Sequence, residues 1–169
     1  MISIANRRQG FTIIELMLVM VVLGVLATLA VPSMRDLLIA TQVRAAASDL
    51  FESVILARSE AIKRAANIDV VPTGGNWGNG WTVMAGTTVI QTRDAATNVT
   101  ITPTNTAGVV TYGNVTFRLD GRVSTGVRTL TVSTVQAAHP VAARCILIDA
   151  SGRPSIKTDT DNDPSNGCN

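Results

Sequence analysis

Residues that commonly carry chemistry are scarce in this sequence. Its 169 residues include one histidine, two cysteines and six aromatic residues, namely three Phe, two Trp and one Tyr. The single imidazole, His139, precedes Pro140 in a loop-like stretch, and nothing in the sequence positions a nucleophile or further metal ligands beside it. These shortages argue against an enzyme, and they predict a protein with no cofactor and no small-molecule substrate.

Charge is sparse as well. Charged residues make up 15% of the chain, and 14 Lys and Arg against 12 Asp and Glu leave a net charge of +2. Such a balance is not that of a chain built to coat nucleic acid, although it leaves room for a local basic patch. The apolar content is too high for a disordered chain, so a folded protein is expected.

The sequence does contain one long apolar run. From Leu16 to Met34 there are 19 consecutive residues without a charge, which is long enough to cross a bilayer. Beyond Pro32 the pattern becomes amphipathic, with apolar residues three and four apart up to Ala65. A helix over residues 11–66 would be about 80 Å long at 1.5 Å per residue. Half of it must therefore leave the membrane and pack on protein, and it should end near Asn67.

The remainder of the chain is typical of β-structure. Fifteen of the 21 threonines of the whole chain lie between Thr82 and Thr134, and β-branched residues favour strands. The predicted strands are Ile68–Val71, Gly80–Met84, Thr88–Thr92, Val99–Thr102, Val115–Leu119, Thr129–Ser133, Arg144–Ile148 and Pro154–Lys157. The fold class is therefore α+β: a long N-terminal helix, half transmembrane and half amphipathic, packed on a C-terminal antiparallel β domain with one sheet core.

Two local patterns refine this prediction. Asp120-Gly121 between apolar residues predicts a hairpin turn. Trp77 and Trp81 are expected to anchor the sheet against the helix, because large rings dominate core burial.

The boundary at Gly10 is the most informative point of the chain. The apolar run follows Gly10-Phe11 and carries Glu15 near its start, where a carboxylate is costly in lipid unless it is paired. Cleavage between Gly10 and Phe11 would create an ammonium four residues before Glu15, able to neutralise the Glu15 of a neighbouring copy. The alternatives are a plain membrane anchor with a chance glutamate and an export signal that is cleaved near Ala30.

At these residues the sequence resembles the type IV pilin and type II secretion pseudopilin superfamily. The match is Gly10-Phe11-Thr12-Ile13-Ile14-Glu15-Leu16, followed by the apolar run and Pro32. The resemblance implies a pilin-like fold, cleavage after Gly10 by prepilin peptidase, N-methylation of Phe11 and use of Glu15 in assembly with other pilins. It also implies a single pass through the bacterial inner membrane, with a cytoplasmic N-terminus and a periplasmic β domain.

The expected organisation of the chain follows from this resemblance. Residues 1–10 form the leader peptide and 11–34 the transmembrane and assembly helix. Residues 35–66 form the amphipathic helix half, and 67–169 the periplasmic β domain.

Later stretches resemble one branch of the superfamily, the H-type pseudopilins and the FimT/FimU-type minor pilins. They are Ala57–Ile62, Trp77–Trp81, Gly121-Arg122 and Ser151-Gly152-Arg153. The resemblance implies a low-copy or tip structural subunit of a type IV pilus or a type II secretion pseudopilus. The alternative within the branch is a FimT-type subunit that binds DNA during natural transformation.

Five basic residues are the candidates for DNA binding: Arg118, Arg122, Arg128, Arg153 and Lys157. FimT-type DNA binders resemble one another in a Gly-Arg-x-Arg motif. Gly152-Arg153-Pro154-Ser155 and Gly121-Arg122-Val123-Ser124 each lack the second Arg. Since the nearby acidic tail would repel phosphate, DNA binding is not the favoured function.

The C-terminal region carries both cysteines and an acidic run. In an oxidising periplasm, Cys145 and Cys168 are expected to form a disulfide. Between them, Asp159, Asp161 and Asp163 alternate as calcium ligands can, but Pro164 stands where a calcium loop requires Gly. A solvated acidic loop is therefore expected instead of a metal site.

Overall fold

The computed structural model describes residues 11–105, 108–109, 113–124, 127–135 and 141–160. Helix α1 runs from Ile13 to Arg64, and Pro32 does not end it. The chain divides into two compact units, Met1–Arg35 and Asp36–Asn169.

The start of α1 is capped by its own sequence. Thr12 precedes the first helical residue, and its Oγ1 accepts a hydrogen bond from the backbone N–H of Glu15 at 3.2 Å. The Thr-x-x-Glu spacing is that of a capping box, and a carboxylate in the first turn also interacts favourably with the helix dipole. From Phe11 to Leu26 the large apolar side chains are all exposed, with Phe11 and Ile13 each at 81%. No helix in the described part of the chain is long and apolar enough to span a membrane.

The other end of α1 is a Schellman motif built on alanine. Ala65 has a positive φ of 47°. The N–H of Ala66 donates to the carbonyl of Ala61 at 3.2 Å, and that of Ala65 donates to Ile62 at 3.3 Å. The helix thus ends at Arg64, slightly before the predicted end near Asn67, because Ala65 already takes the left-handed conformation that ends a helix.

Short strands follow the helix. They are β1 (Ile68–Pro72), β2 (Gly80–Ala85), β3 (Thr88–Asp94), β4 (Val99–Asn105), β5 (Gly108–Val109), β6 (Val115–Phe117), β7 (Thr129–Thr134), β8 (Arg144–Ile148) and β9 (Pro154–Thr158). Every predicted strand is present within a few residues of its expected bounds. The two-residue β5 was missed, because so short a segment has no alternation to detect.

The strands form two antiparallel sheets where a single sheet was expected, although both sheets share one hydrophobic core. A four-stranded sheet has the order β3-β2-β1-β6, and a five-stranded sheet has the order β5-β4-β7-β8-β9. Strand β6 returns to β1, with Ile68 opposite Phe117. The predicted turn at Asp120-Gly121 is present, although its second arm forms only a single bridge, between Phe117 and Val123. Strand composition alone does not reveal which strands pair across such distances.

One hydrophobic core joins α1 to both sheets. Val43, Leu50 and Val54 of the helix are fully buried with strand residues of each sheet. Removing a side chain of this kind from water contributes about 1.5–3 kcal/mol, so the buried helix face is a main source of stability.

Trp77 and Trp81 are both buried in this core, as predicted. Trp81 Nε1 donates to Ser53 Oγ of α1 at 2.9 Å. Ser53 Oγ in turn donates to the carbonyl of Asp49 at 2.9 Å and lies 3.1 Å from Gln91 Oε1. The buried hydroxyl therefore satisfies the indole and connects α1 to β2 and β3.

Candidate functional site

The first candidate site is the N-terminal segment. Gly10, the predicted cleavage position, lies outside the described residues. Phe11 and Glu15 are exposed, with Glu15 in the first turn of α1. The segment places an acidic side chain on an exposed apolar helix, an arrangement suited to pairing with a cation supplied by another molecule.

The second candidate site consists of two loops of related sequence, residues 120–122 and 149–153, called here the paired Gly-Arg turns. In the first turn, Asp120 Oδ1 accepts the backbone N–H of Arg122 at 3.1 Å. In the second, Asp149 Oδ1 accepts the N–H of Arg153 at 2.9 Å and the hydroxyl of Ser151 at 2.7 Å. Each aspartate closes its own turn and fixes the backbone of the arginine that follows.

The two turns contact each other through their glycines. A Cβ added to Gly152 would lie 2.1 Å from the carbonyl oxygen of Gly121, and both glycines have positive φ, of 78° and 73°. Arg58 of α1 links the turns, since its Nε donates to the Gly121 carbonyl at 3.1 Å and its Nη2 lies 3.5 Å from the Ser151 carbonyl. The structure thus brings together two turns that lie about thirty residues apart in the chain.

The predicted basic residues are only partly brought together. The exposed Arg122 and Arg153 follow the touching glycines, and the N–H of Arg118 donates to the Arg122 carbonyl at 2.9 Å. Arg128 is half-buried, and its carbonyl accepts the N–H of Ile148, next to the second turn. Lys157 is exposed on β9 opposite Cys145, away from the glycines.

Sequence reasoning missed Arg58 as a member of this group. The stretch Ala57–Ile62 was noticed only as a family-like segment of the helix, and an arginine on a helix normally indicates a solvated face. The available signal was the recurrence of Asp, Gly and Arg in both turns, whose carbonyls Arg58 contacts.

Two carboxylates are held in their charged form, Glu60 near the C-terminal end of α1 and Asp149 in the second Gly-Arg turn. The Ser151 hydroxyl, and next the backbone N–H of Arg153, hold the pKa of Asp149 below its ordinary value. Hydrogen bonds from Arg64 and then Lys63 lower the pKa of Glu60 in the same way. The negative charge on Asp149 offsets part of the positive charge that Arg153 brings to the turns.

The C-terminal predictions fall mostly outside the described residues. Cys145 is buried and disulfide-bonded, but Cys168, its predicted partner, lies outside them. Asp159 is buried, whereas Asp161 and Asp163 also lie outside, as does His139. Within the described ranges, no group of three His, Cys, Asp or Glu residues could hold a metal ion.

Comparison with protein families finds two matching segments. Residues 46–152 match the family described as type II transport protein GspH. Residues 5–31 match the prokaryotic N-terminal methylation motif. The first match covers the last third of α1 and strands β1 to β8, and the second covers the segment around Gly10 and the first part of α1.

Curated relatives extend the likeness in sequence. Two fimbrial proteins of Pseudomonas aeruginosa are each 38% identical to the chain over 68 residues, which is 37% of this chain and 44% of the relative. The match thus spans less than half the length of those proteins.

Solved structures show the same fold. The type IV minor pilin FimU of Pseudomonas aeruginosa PAO1 aligns with a TM-score of 0.55 at 18% identity, over 76% of this chain and 96% of that one. A second crystal form of FimU gives a TM-score of 0.52 at 19% identity, over 75% of this chain and 99% of that one. A long helix packed on antiparallel sheets is therefore shared with a minor pilin.

Proposed function

The chain belongs to the family of the type II transport protein GspH, and we therefore propose that it is a minor pilin or pseudopilin. It acts as a low-copy or tip structural subunit in a type IV pilus or a type II secretion pseudopilus. Members of this family are structural subunits that assemble with other pilins, and they are not known as enzymes.

One observation carries this proposal: the methylation motif at residues 5–31 and the GspH match at residues 46–152 occur in the same chain, in that order. The motif implies a pilin held at the inner membrane by its N-terminal helix. The exposed apolar side chains at the start of α1 support the same role, because they need lipid or other helices to cover them.

The processing steps belong to the proposal as well. Prepilin peptidase cleaves between Gly10 and Phe11 on the cytoplasmic face, and Phe11 is then N-methylated. Arg7 and Arg8 keep the leader in the cytoplasm, so that the β domain faces the periplasm.

Glu15 is proposed to set the register of assembly. After cleavage, the new ammonium of one subunit pairs with Glu15 of its neighbour within the bilayer, where an unpaired charge is expensive. Glu15 also lies in a capping-box position, however, so its removal could act through the helix start alone. A glutamine at this position keeps the capping geometry and removes the charge.

The test compares Glu15→Ala with Glu15→Gln in the full-length chain. Both variants should insert and lose the leader normally, while their incorporation into sheared filaments, measured by immunoblot, falls more than about tenfold. Each factor of ten corresponds to about 1.4 kcal/mol of lost pairing.

Two results would count against this role of Glu15. Normal incorporation of both variants would show that Glu15 has no role in assembly. Normal incorporation of Glu15→Gln alone would show that Glu15 acts only as a helix cap. A mature N-terminus other than Phe11, found by sequencing, would contradict the proposed processing.

A second candidate function, binding of DNA, is favoured by one observation, the meeting of the paired Gly-Arg turns. Arg122 and Arg153 each follow one of the two touching glycines, and the N–H of Arg118 donates to the Arg122 carbonyl. Asp120 and Asp149 stand in the same turns and reduce the positive charge. Because non-specific affinity grows with the number of phosphates neutralised, binding is expected to be weak.

Fluorescence anisotropy with duplex DNA at physiological salt tests this candidate on the detergent-solubilised chain. We expect a Kd no tighter than about 10⁻⁵ M. Submicromolar binding that is lost in Arg122→Ala and Arg153→Ala, but kept in the more distant Lys157→Ala, would make DNA the main partner.

A further inference from the structure

A groove runs between α1 and the start of β8. On the helix it is lined by one stripe of residues spaced by three and four, namely Leu37, Ala40, Arg44, Ala47 and Ser48. On the sheet, Arg144 lies two residues before the buried Ile146 and on the same face of β8, so it faces the helix. The groove consists of two adjoining cavities of about 370 and 230 Å³, and Arg44 and Arg144 line both of them.

The two arginines give this Arg44–Arg144 groove a positive charge. Within the described part of the chain, neither arginine forms a salt bridge. Arg144 is half-buried and Arg44 is exposed. Two guanidinium groups without a carboxylate partner, at one cavity, are suited to bind the oxygens of a phosphate group, because each planar fork can donate two parallel hydrogen bonds.

Most of the remaining wall is apolar. Besides the helix residues it consists of Val141, Ala142 and Ile156. Leu37 is 56% exposed, and its neighbour Leu38 is 55% exposed. A phosphate that is attached to an apolar chain therefore fits the groove better than a free anion does, since covering these side chains adds about 25 cal/mol per Å² to the ion pairs.

Asp36 argues against an acidic protein segment as the occupant. It lines the Leu37 end of the groove, and its backbone lies about 12 Å along the helix from that of Arg44. A segment rich in carboxylates that filled the groove from end to end would be repelled by Asp36. A single phosphate occupies only the arginine end, and hydroxyl groups on its headgroup can donate hydrogen bonds to a carboxylate.

The place of the groove in the chain also suits a lipid. The uncharged run ends at Met34, and the residues that line the groove begin at Asp36. Side chains on a helix lean towards its N-terminus, and Arg44 accordingly lines the same cavity as Leu37, seven residues before it. Arg44 thus extends from its own backbone in the direction of the membrane-anchored end of α1.

We propose that the Arg44–Arg144 groove binds the headgroup of an anionic phospholipid of the phosphatidylglycerol type. The inference rests on the proposed function, in which the N-terminal helix holds the subunit at the inner membrane, and it adds a specific lipid ligand to that role. Arg44 and Arg144 bind the phosphate oxygens, and the apolar wall contacts the start of the acyl chains. The bound lipid holds the β domain at the membrane surface until the subunit is assembled.

The test is native mass spectrometry of the full-length chain, purified in an uncharged detergent and titrated with lipid. Phosphatidylglycerol should bind as one resolved adduct, at least about tenfold more tightly than phosphatidylcholine of the same chain length, because only the first carries a net negative charge. Glycerophosphoglycerol, which is the same headgroup without acyl chains, should bind more weakly by a similar factor. Poly-glutamate should not displace the bound lipid.

Arg44→Gln with Arg144→Gln should weaken phosphatidylglycerol binding at least about tenfold, because it removes both charged donors. The matched control is Arg118→Gln with Arg122→Gln, which removes the same charge at exposed positions outside the groove and should leave binding unchanged. Leu37→Glu places a carboxylate on the wall at an exposed position, where folding is not at risk, and should weaken binding as well. Thermal melts followed by tryptophan fluorescence confirm that each variant is folded.

Four results would overturn the proposal. Equal losses in the two double variants would show a general attraction between opposite charges. Equal binding of phosphatidylcholine would show that the negative charge is not recognised. Equal binding of glycerophosphoglycerol would indicate a site for a free phosphate. Displacement of the lipid by poly-glutamate would indicate a site for an acidic protein.

Lipid binding is measured on the purified chain and does not depend on a filament. Its absence, with normal incorporation of the wild-type chain into filaments, would count against the lipid site alone. Specific lipid binding by a chain that never enters filaments would instead count against the proposed function.

Discussion

Ser53 is the polar residue at the centre of the helix–sheet contact. Its hydroxyl is completely buried and accepts the Trp81 indole N–H. In sequence it occurs within an amphipathic helix pattern, where a serine would normally be assigned to the solvent side. Its burial depends on the indole, whose N–H needs an acceptor inside the core.

Ser53→Ala should therefore destabilise the protein by about 1–3 kcal/mol, because it leaves the buried Trp81 Nε1 without its acceptor. Ser59→Ala is the matched control. Ser59 lies on the same helix, and its hydroxyl also donates to a backbone carbonyl of the preceding turn, but its side chain is exposed. Urea denaturation followed by tryptophan fluorescence measures both. Equal midpoints for the two variants would show that the buried hydrogen bond contributes nothing.

Gly152 combines two restrictions on a side chain. Its positive φ disfavours any L-residue, and a Cβ would also collide with the Gly121 carbonyl. Gly74 has a positive φ of 61° as well, but nothing lies within 4 Å of its Cβ position. The two positions thus separate backbone strain from steric contact.

Gly152→Ala should lower the melting temperature clearly more than Gly74→Ala, since only the first substitution forces the paired Gly-Arg turns apart. Differential scanning calorimetry measures the two variants beside the wild type. Equal melting temperatures for the two variants would show that the two turns separate freely and are not held in contact.

Ala65 ends α1 in a conformation that glycine adopts more easily. A left-handed residue with a Cβ costs roughly 1–2 kcal/mol. Replacing it by glycine removes this cost, but part of the gain is lost because glycine has a greater unfolded-state entropy. The sequence offered no glycine or proline as a stop signal here, which is why the end of the helix could be placed only approximately.

We expect Ala65→Gly to raise the free energy of unfolding by about 0.5–1 kcal/mol. Ala66→Gly, one residue later and without a positive φ, should instead lower it, because the added chain entropy brings no relief of strain. Chemical denaturation distinguishes the two signs, and a loss of stability in both variants would contradict the assignment of strain to Ala65.

The strands could be predicted from the sequence because Val, Thr and Ile cluster between turn residues. Their pairing could not, since β6 and β1 join across more than forty residues and nothing local encodes that partnership. In the candidate sites, too, local patterns could be predicted from the sequence and long-range contacts could not. Gly10, Phe11 and Glu15 lie next to one another in the chain and form a recognisable motif, whereas Arg58, Gly121 and Gly152 meet only through the fold.

The chain divides at Asp36 into two units that differ in the exposure of their apolar side chains. The first unit exposes its large apolar side chains from Phe11 to Leu26, whereas the second contains a buried cluster of apolar residues. Ile39 belongs to that second unit and is only 6% exposed.

A fragment that begins at Asp36 should therefore fold by itself and unfold in one cooperative transition. A fragment that begins at Gln42 lacks the Ile39 side chain and should be less stable by about 1.5–3 kcal/mol. Thermal unfolding monitored by the fluorescence of the buried Trp77 and Trp81 compares them. A non-cooperative melt of the longer fragment would place the folding boundary elsewhere.

The chain changes sheet on its way to the C-terminus, and this sets an order of maturation during synthesis. Strands β1, β2 and β3 reach the compartment in which the domain folds before β6 does, and these three can pair at once as a meander. The edge of β1 then stays unpaired until Val115–Phe117 emerges to cover it. For that interval the nascent chain carries an open strand edge beside apolar residues, which is the state most exposed to aggregation and most in need of a chaperone.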